Sequence, residues 1–488
     1  MTNLLFIFSD QHAQAVAGCY GDPVVATPAL DDLAARGVTF DNAYTPSPLC
    51  TPARMAMLTG RHCHEIGCWT NSDILASDLP THAHALGAAG IETVLVGRLH
   101  AIGPDQHHGY ERRLIGDHST NWIGGPAHDM GPLARTNDPY RVSIERSGPG
   151  ASSYERKDED VTGAAVAELR RLAEARRDGT TDRPFAMTVG LMLPHQPYVC
   201  GADDFAAYDG LIDPPRRGVP EPEHPYLRRW RAHTGALDLD PADEARARQA
   251  YWGLVTAMDR MIGRILEQLA EVGLAEDTLV IYASDHGDQL GERGLWWKQT
   301  FFEESVKVPL IMRWPDRFPA GGRRQQVVSL LDVAATMLDA MGAPVLPRSR
   351  GRSLVPLATD PQAPWIDEAF AEYCTDGTAA WTLPEPVQQR MVRTERYKLV
   401  HHHGLEPQLF DLLLDPDETV DRATDPDYVA VRTELTERVL AGWDPDAVAR
   451  RLADKVEEKS LLAQWARATQ PPETLRWNLE AGQNRLDR

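Results

Sequence analysis

Four short apolar runs in this chain each break off into a loop dense with chemically capable residues, and that pattern narrows the fold more than any other feature. Residues 4–8 lead into Asp10-Gln11-His12, and residues 93–96 into Gly97-Arg98-Leu99-His100. Residues 185–193 lead into Pro194-His195-Gln196-Pro197, and residues 278–283 into Ser284-Asp285-His286-Gly287. Between them, at residues 30–36 and 251–269, apolar side chains recur every three or four positions, as on helices. Buried strands alternating with helices predict an α/β fold whose large, mostly parallel sheet is covered on both faces. Ligands on such sheets bind at the carboxyl ends of the strands, so all four loops are expected at one site.

The rest of the chain divides around that frame. Residues 1–345 read as the main domain, closed by a helix over 327–341. Within it, residues 103–179 are rich in Gly, Pro and His and read as loops and a helix that select the substrate. A Gly/Pro/Arg-rich connector at 348–364 leads to strand-like segments at 369–373, 390–400 and 408–412, a small antiparallel sheet in an α+β unit spanning 346–445. The run His401-His402-His403 reads as a strand end. Residues 446–488 form a closing helix and a polar tail that keeps Leu475, Trp477 and Leu479.

Charge excludes several function classes. Fifty Lys and Arg stand against 71 Asp and Glu, a net charge of −21 over 488 residues. A chain this acidic repels phosphate backbones and anionic lipid surfaces, so neither nucleic acid nor membrane is an expected partner. No apolar run approaches ~18 residues. The opening residues lack a basic region and a small-residue cleavage site, and the six cysteines are irregularly spaced. A reduced, cytoplasmic protein without a disulfide framework is the expectation.

The most specific local feature is Cys50-Thr51-Pro52-Ala53-Arg54, followed by Thr59-Gly60. Proline in a first helical turn puts Cys50 near a helix N-terminus, where backbone N–H groups and the dipole favour an anion. Arg54 adds a fixed positive charge one turn on. A core cysteine is the plain alternative, and a thiolate phosphatase a second, although its phosphate loop needs a longer Cys-to-Arg spacing. Neither accounts for the proline.

These residues resemble the type I sulfatases of the alkaline phosphatase superfamily, whose motif is Cys-x-Pro-x-Arg followed by Thr-Gly. The resemblance implies an alkaline-phosphatase-like sandwich and oxidation of Cys50, by a separate formylglycine-generating enzyme, to formylglycine, whose hydrated aldehyde is the nucleophile. It implies a divalent metal, Ca2+ or Mn2+, held by Asp10, Gln11, Cys50, Asp285 and His286. Oxygen ligands suit a hard cation, while the imidazole tilts preference toward Mn2+. By the same resemblance Arg54 supports the nucleophile, Lys298 and Arg98 hold sulfate oxygens, His195 protonates the leaving alcohol, and His100 removes a proton in the second half-reaction. The sequence departs from the family pattern at three points. Arg98 stands for Lys, Gln11 for a second Asp, and His286 for Asn.

A narrower resemblance is to bacterial choline sulfatases, carried by Ser77-Asp78-Leu79-Pro80-Thr81-His82-Ala83-His84, by the stretch from Gly103-Pro104-Asp105 to Arg113-Leu114, and by Ala371-Glu372-Tyr373. It implies a small anionic or zwitterionic sulfate ester, with Trp122 and Glu372 receiving a quaternary ammonium head. Loop packing is the plain alternative for Trp122. The resemblance also implies that the tail, with Trp477, helps build a homo-oligomer; a tail folded on its own subunit is the simpler possibility. A phosphonate monoester or phosphodiester hydrolase with the same nucleophile is the alternative activity, favoured by His286. A binding protein on a decayed scaffold is a third reading, opposed by the intact motif.

Overall fold

Alternate residues of the first strand, β1 (Asn3–Asp10), fall into two different cores. Leu5 and Ile7 join one buried cluster, while Leu4, Phe6 and Phe8 join another. A strand buried on both faces in this way has helices above and below it. The structure, a computed structural model, describes residues 2–487 except Ala127, Arg217 and Glu221.

After β1 the chain forms β2 (Val38–Tyr44), β3 (Glu92–Gly97), β4 (Arg112–Leu114), β5 (Gly148–Ala151) and β6 (Phe185–Pro194). There follow β7 (Val199–Cys200), β8 (Thr278–Ser284), β9 (Leu310–Arg313) and β10 (Gly322–Ser329). One eight-stranded sheet runs β10-β2-β9-β8-β1-β6-β3-β4. Its pairs are parallel except the two made by β9. A separate four-stranded antiparallel sheet joins β11 (Glu368–Thr375), β12 (Val387–Thr394), β13 (Tyr397–His402) and β14 (Gln408–Asp411) in that order. The α/β class and the two kinds of sheet are those expected from the sequence.

The longest helix, Pro241–Glu271, starts where the sequence tells it to. Asp240 caps it by accepting from Ala242 N–H, Pro241 opens the first turn, and Asp243 and Glu244 complement the dipole. Its buried face then runs through Ala247, Tyr251, Leu254, Met258, Ile262, Ile265 and Leu269.

Register explains why four loops meet. Ser9 pairs with Ser284, Asp10 with Pro194 and Gly97 with Gly190, so β8, β1, β6 and β3 are consecutive neighbours ending at the same edge. Two glycines make the close approach possible. A Cβ on Gly190 would lie 1.9 Å from Arg98 O, and one on Gly97, whose φ is +89°, would lie 2.3 Å from Gly190 O. Arg98 N–H donates to Gly190 O at 2.8 Å as the chain leaves β3.

Three expectations need correction. Residues 327–329 end β10 and do not begin a helix; Ser329 caps the helix Leu330–Ala340 through Leu331 N–H, with Asp332 reaching back to Ser329 N–H. Residues 390–400 are two strands, because Thr394 and Tyr397 bond each other across a turn at Glu395-Arg396. The 348–364 connector holds a short helix, Val355–Thr359. Residues 103–179 contribute β4, β5 and the helix Ser153–Arg177. The histidine run closes β13, as expected.

The tail after the helix Pro445–Thr469 lies on its own chain. Trp477 N–H donates to Asp117 O at 2.8 Å and its indole N–H to Asp160 at 3.0 Å. Beyond it β15 (Arg485–Leu486) pairs with β5, whose other edge carries β7. Trp477 is thus bonded within its own chain. Among the described residues no helix is long and apolar enough to cross a membrane.

Candidate active site

Cys50 is the first residue of the helix Cys50–Thr59, all ten residues of which are buried. An extended Leu49 delivers the chain to it and Gly60, at φ +64°, ends it. The Cys50 Sγ lies 3.1 Å from Lys298 Nζ, 3.2 Å from His286 Nε2 and 3.6 Å from an Asp10 carboxylate oxygen. Asp10, Cys50, Asp285 and His286 thus each present one ligand atom, all within 4.8 Å of one another.

Arg54 braces this cluster. Its Nε donates to Asp285 at 2.8 Å, and one terminal nitrogen donates to Asp10 and Ser9 O, both at 3.1 Å. The guanidinium lies over the Phe8 ring at 4.7 Å. Each carboxylate gives one oxygen to Arg54 and turns Oδ1 toward His286 Nε2, at 3.8 Å for Asp10 and 3.6 Å for Asp285. Burial would raise the Asp10 carboxyl, but Arg98, His195, Arg54 and Lys298 overrule it and hold it well below the usual carboxylate range. His286 has Nδ1 3.1 Å from Gly287 O, so the ring proton sits there and the Nε2 lone pair faces the cluster. Burial pushes this ring down to about 4 despite the carboxylates, keeping it neutral.

Two hard carboxylates, a tautomer-fixed imidazole and a sulfur or oxygen at position 50 fit a divalent cation. Exchanging the imidazole for an amide oxygen should weaken the transition-metal preference. His286→Asn is expected to lower Mn2+ affinity about tenfold or more relative to Ca2+, read by competitive metal titration.

Gln11, expected among the ligands, directs its side-chain oxygen to Lys298. Its Oε1 accepts from Lys298 Nζ at 2.6 Å, and its Nε2 donates to Asp288 at 2.6 Å and Gln196 at 2.7 Å. Lysine can only donate, which fixes the amide's orientation. Asp288, not singled out from the sequence, is fully buried and also accepts from the Tyr198 hydroxyl at 2.7 Å. The signal was its place three residues after Asp285 in the same loop.

The remaining groups surround this floor. Lys298 stands between Trp297 at φ +64° and Gln299 at φ +69°, a backbone held outside the usual regions. Arg98 bonds Asp10 through Nε at 2.5 Å and donates from one terminal nitrogen to His100 Nδ1 at 2.8 Å. Its other terminal nitrogen is buried without a partner. His195 donates from Nδ1 to Gln196 O at 2.6 Å, which leaves Nε2 for Cys50. Burial and the charge of Lys298 push His195 down, against Asp10 and Cys50, which hold it up. His100 and His195, 8% and 7% exposed, form the rim, while Cys50 at 1% and Lys298 at 3% lie beneath.

Trp122 and Glu372 are placed elsewhere. Trp122 packs edge-on to Trp465 at 5.0 Å and its indole N–H donates to Pro472 O. Glu372 is buried, accepting from His64 N–H at 3.1 Å, His64 Nδ1 at 2.6 Å and the Trp69 indole at 3.4 Å. Its carboxylate is saturated by these donors, which is why it does not stand open to a ligand cation. Among the described residues, no hydrogen bond or ion pair joins either residue to the Cys50 cluster.

Known proteins resemble this chain in sequence and in fold. A family model described as Sulfatase matches residues 2–343, and one described as N-sulphoglucosamine sulphohydrolase, C-terminal, matches residues 291–442. The choline-sulfatase of Rhizobium meliloti (strain 1021) is 31% identical over 460 residues, covering 91% of this chain and 87% of its own. Arylsulfatase K of Rattus norvegicus is 29% identical over 451 residues, covering 87% and 75%. The solved phosphonate monoester hydrolase of Agrobacterium radiobacter has a TM-score of 0.72 at 25% identity, covering 90% of this chain and 95% of that one.

Proposed function

The chain belongs to the sulfatase family and is a sulfuric ester hydrolase, and from that premise we propose what it cleaves and how. The substrate is a small organic sulfate monoester, choline-sulfate-like or another alkyl or sugar sulfate, released as alcohol and inorganic sulfate. The observation that supports this most is Cys50 Sγ at the head of a buried helix, 3.1 Å from Lys298 Nζ and 3.2 Å from His286 Nε2.

Asp10, Asp285, His286 and the Cys50 position would hold a divalent cation, Ca2+ or Mn2+, which supplies Lewis-acid polarisation when bound. A formylglycine made from Cys50 by a separate generating enzyme provides the nucleophilic hydroxyl. Arg54 holds both carboxylates in place. Lys298 and the unpartnered Arg98 nitrogen hold sulfate oxygens and offset the charge that develops on them. His195, whose Nδ1 proton is held by Gln196 O, takes up a second proton at Nε2 and gives it to the departing alcohol oxygen. The base role of His100 needs a free ring nitrogen, so the Arg98 hydrogen bond to Nδ1 opens first. Trp122 and Glu372 have no place in this reading.

A second reading, hydrolysis of phosphonate monoesters or phosphodiesters, is favoured by His286 and by the likeness to the phosphonate monoester hydrolase. Comparing kcat/KM for 4-nitrophenyl sulfate and 4-nitrophenyl phenylphosphonate separates them at a matched leaving group. A higher value for the sulfate supports the first reading, and a higher value for the phosphonate replaces it with the second. Six cysteines without a disulfide suit a cytoplasmic location. With Trp477 committed, a second copy of the chain would meet the exposed Leu461, Leu462 and Trp465 on the last long helix.

A further inference from the structure

Two successive backbone N–H groups, those of Leu99 and His100, converge on one carboxylate oxygen of Asp117, at 3.3 and 2.8 Å. Convergence of this kind pins a backbone to an anion. His100 has need of it, because its φ is +60°, a conformation that persists in a non-glycine residue only where its surroundings impose it. Its carbonyl is pinned as well, accepting from Thr51 Oγ1 at 3.2 Å, next to Cys50. His100 is thereby suspended between the nucleophile's helix and Asp117.

Asp117 is itself secured. Its side chain is 1% exposed and receives Arg113 at 2.7 Å, with Lys157 Nζ 3.9 Å away, both cations fully buried. Burial would raise this carboxyl, but Arg113, Lys157, Arg98 and His100 overrule it, so it stays anionic. Its carbonyl accepts from Trp477 N–H at 2.8 Å, so the tail holds the main chain of the residue whose side chain holds His100.

We propose that Asp117 is a positioning residue for the hydrolytic reaction, fixing the backbone of residues 99 and 100 so that the His100 ring stays at the rim beside Arg98. It acts through His100 and Arg98 and reaches none of the Asp10, Cys50, Asp285 and His286 ligand atoms. The kinetic part of the inference rests on the hydrolytic reading above; the structural part does not.

The test is a double-mutant cycle with amide exchange alongside. Asp117→Ala is expected to lower kcat about 10²-fold with KM within about threefold, as for a displaced catalytic group. Asp117→Asn keeps an acceptor oxygen and is expected to lose only about tenfold, and it serves if the alanine variant fails to fold. In a His100→Ala background, Asp117→Ala should cost less than about twofold more, because the group it positions is gone. In either Asp117 variant the amides of Leu99 and His100 should exchange faster while those of Cys50–Thr59 do not change. An undiminished kcat, an equal loss in the His100→Ala background, or unaltered exchange at Leu99 and His100 overturns the proposal. If the wild-type protein turns over neither nitrophenyl ester, the hydrolytic reading fails while the exchange measurement still decides the structural part.

Discussion

Cys50→Ala is expected to remove turnover, by on the order of 10⁵-fold or more in kcat, because it removes the thiol whose oxidation would turn Cβ into the aldehyde. The substitution should leave the site otherwise standing. Arg54 still joins Asp10 to Asp285, and Lys298 still bonds Gln11 Oε1 at 2.6 Å. The fold loses one buried sulfur in a polar surrounding, about 1 kcal/mol. Steady-state rates beside a thermal unfolding curve check both halves. Residual activity within about a hundredfold of wild type would mean that another group performs the displacement.

Arg54→Met is expected to have the largest effect on stability. Arg54 is 1% exposed, and its removal leaves the Asp10 and Asp285 carboxylates, both 0% exposed, without their shared cation. Breaking a buried ion pair on one side costs about 3–5 kcal/mol, since the orphaned charge stays buried. Methionine retains much of the arginine's stem packing on Phe8, so the loss reports charge more than volume. A divalent cation bound by the same two carboxylates should recover part of this loss, because a ligand that binds only the folded state stabilises it. Chemical unfolding of the variant with chelator and with excess Mn2+ is the check. A variant as stable as wild type in chelator would mean that Arg54 does not stabilise the two carboxylates. Turnover is expected to fall with it, as both carboxylates lose their bracing.

Much of the site was legible in the sequence because its chemistry sits where strands end. An apolar run that stops short of Asp10 or Asp285 marks both the edge of the sheet and a candidate ligand, and neighbouring register does the rest. What escaped notice was long-range. Asp117 matters through backbone N–H groups seventeen and eighteen residues earlier, and Asp288 through an amide 277 positions away, neither of which any local pattern encodes. The turn at Glu395-Arg396 contains no Gly, Pro or Asn, so the 390–400 hairpin read as one strand.

Resemblance carried residue types better than residue partners. Cys50, Arg54 and Lys298 meet as their motif implies, yet Gln11, matched to a metal ligand, turns its oxygen to Lys298. Glu372 and Trp122 match in type and are committed to His64 and to Trp465 and Pro472. Trp477 is tied to Asp117 and Asp160 of its own subunit. In each case the competing partner is supplied by a distant segment.

The central claim, that Cys50 becomes the nucleophile of a sulfatase, is tested most directly by the mass of the peptide containing it. The protein is purified from a host able to convert such cysteines, and activity is assayed on the same sample. Conversion to formylglycine loses hydrogen sulfide and gains one oxygen, so this account predicts a peptide lighter by roughly 18 Da. An unmodified thiol in protein that still releases sulfate would contradict it.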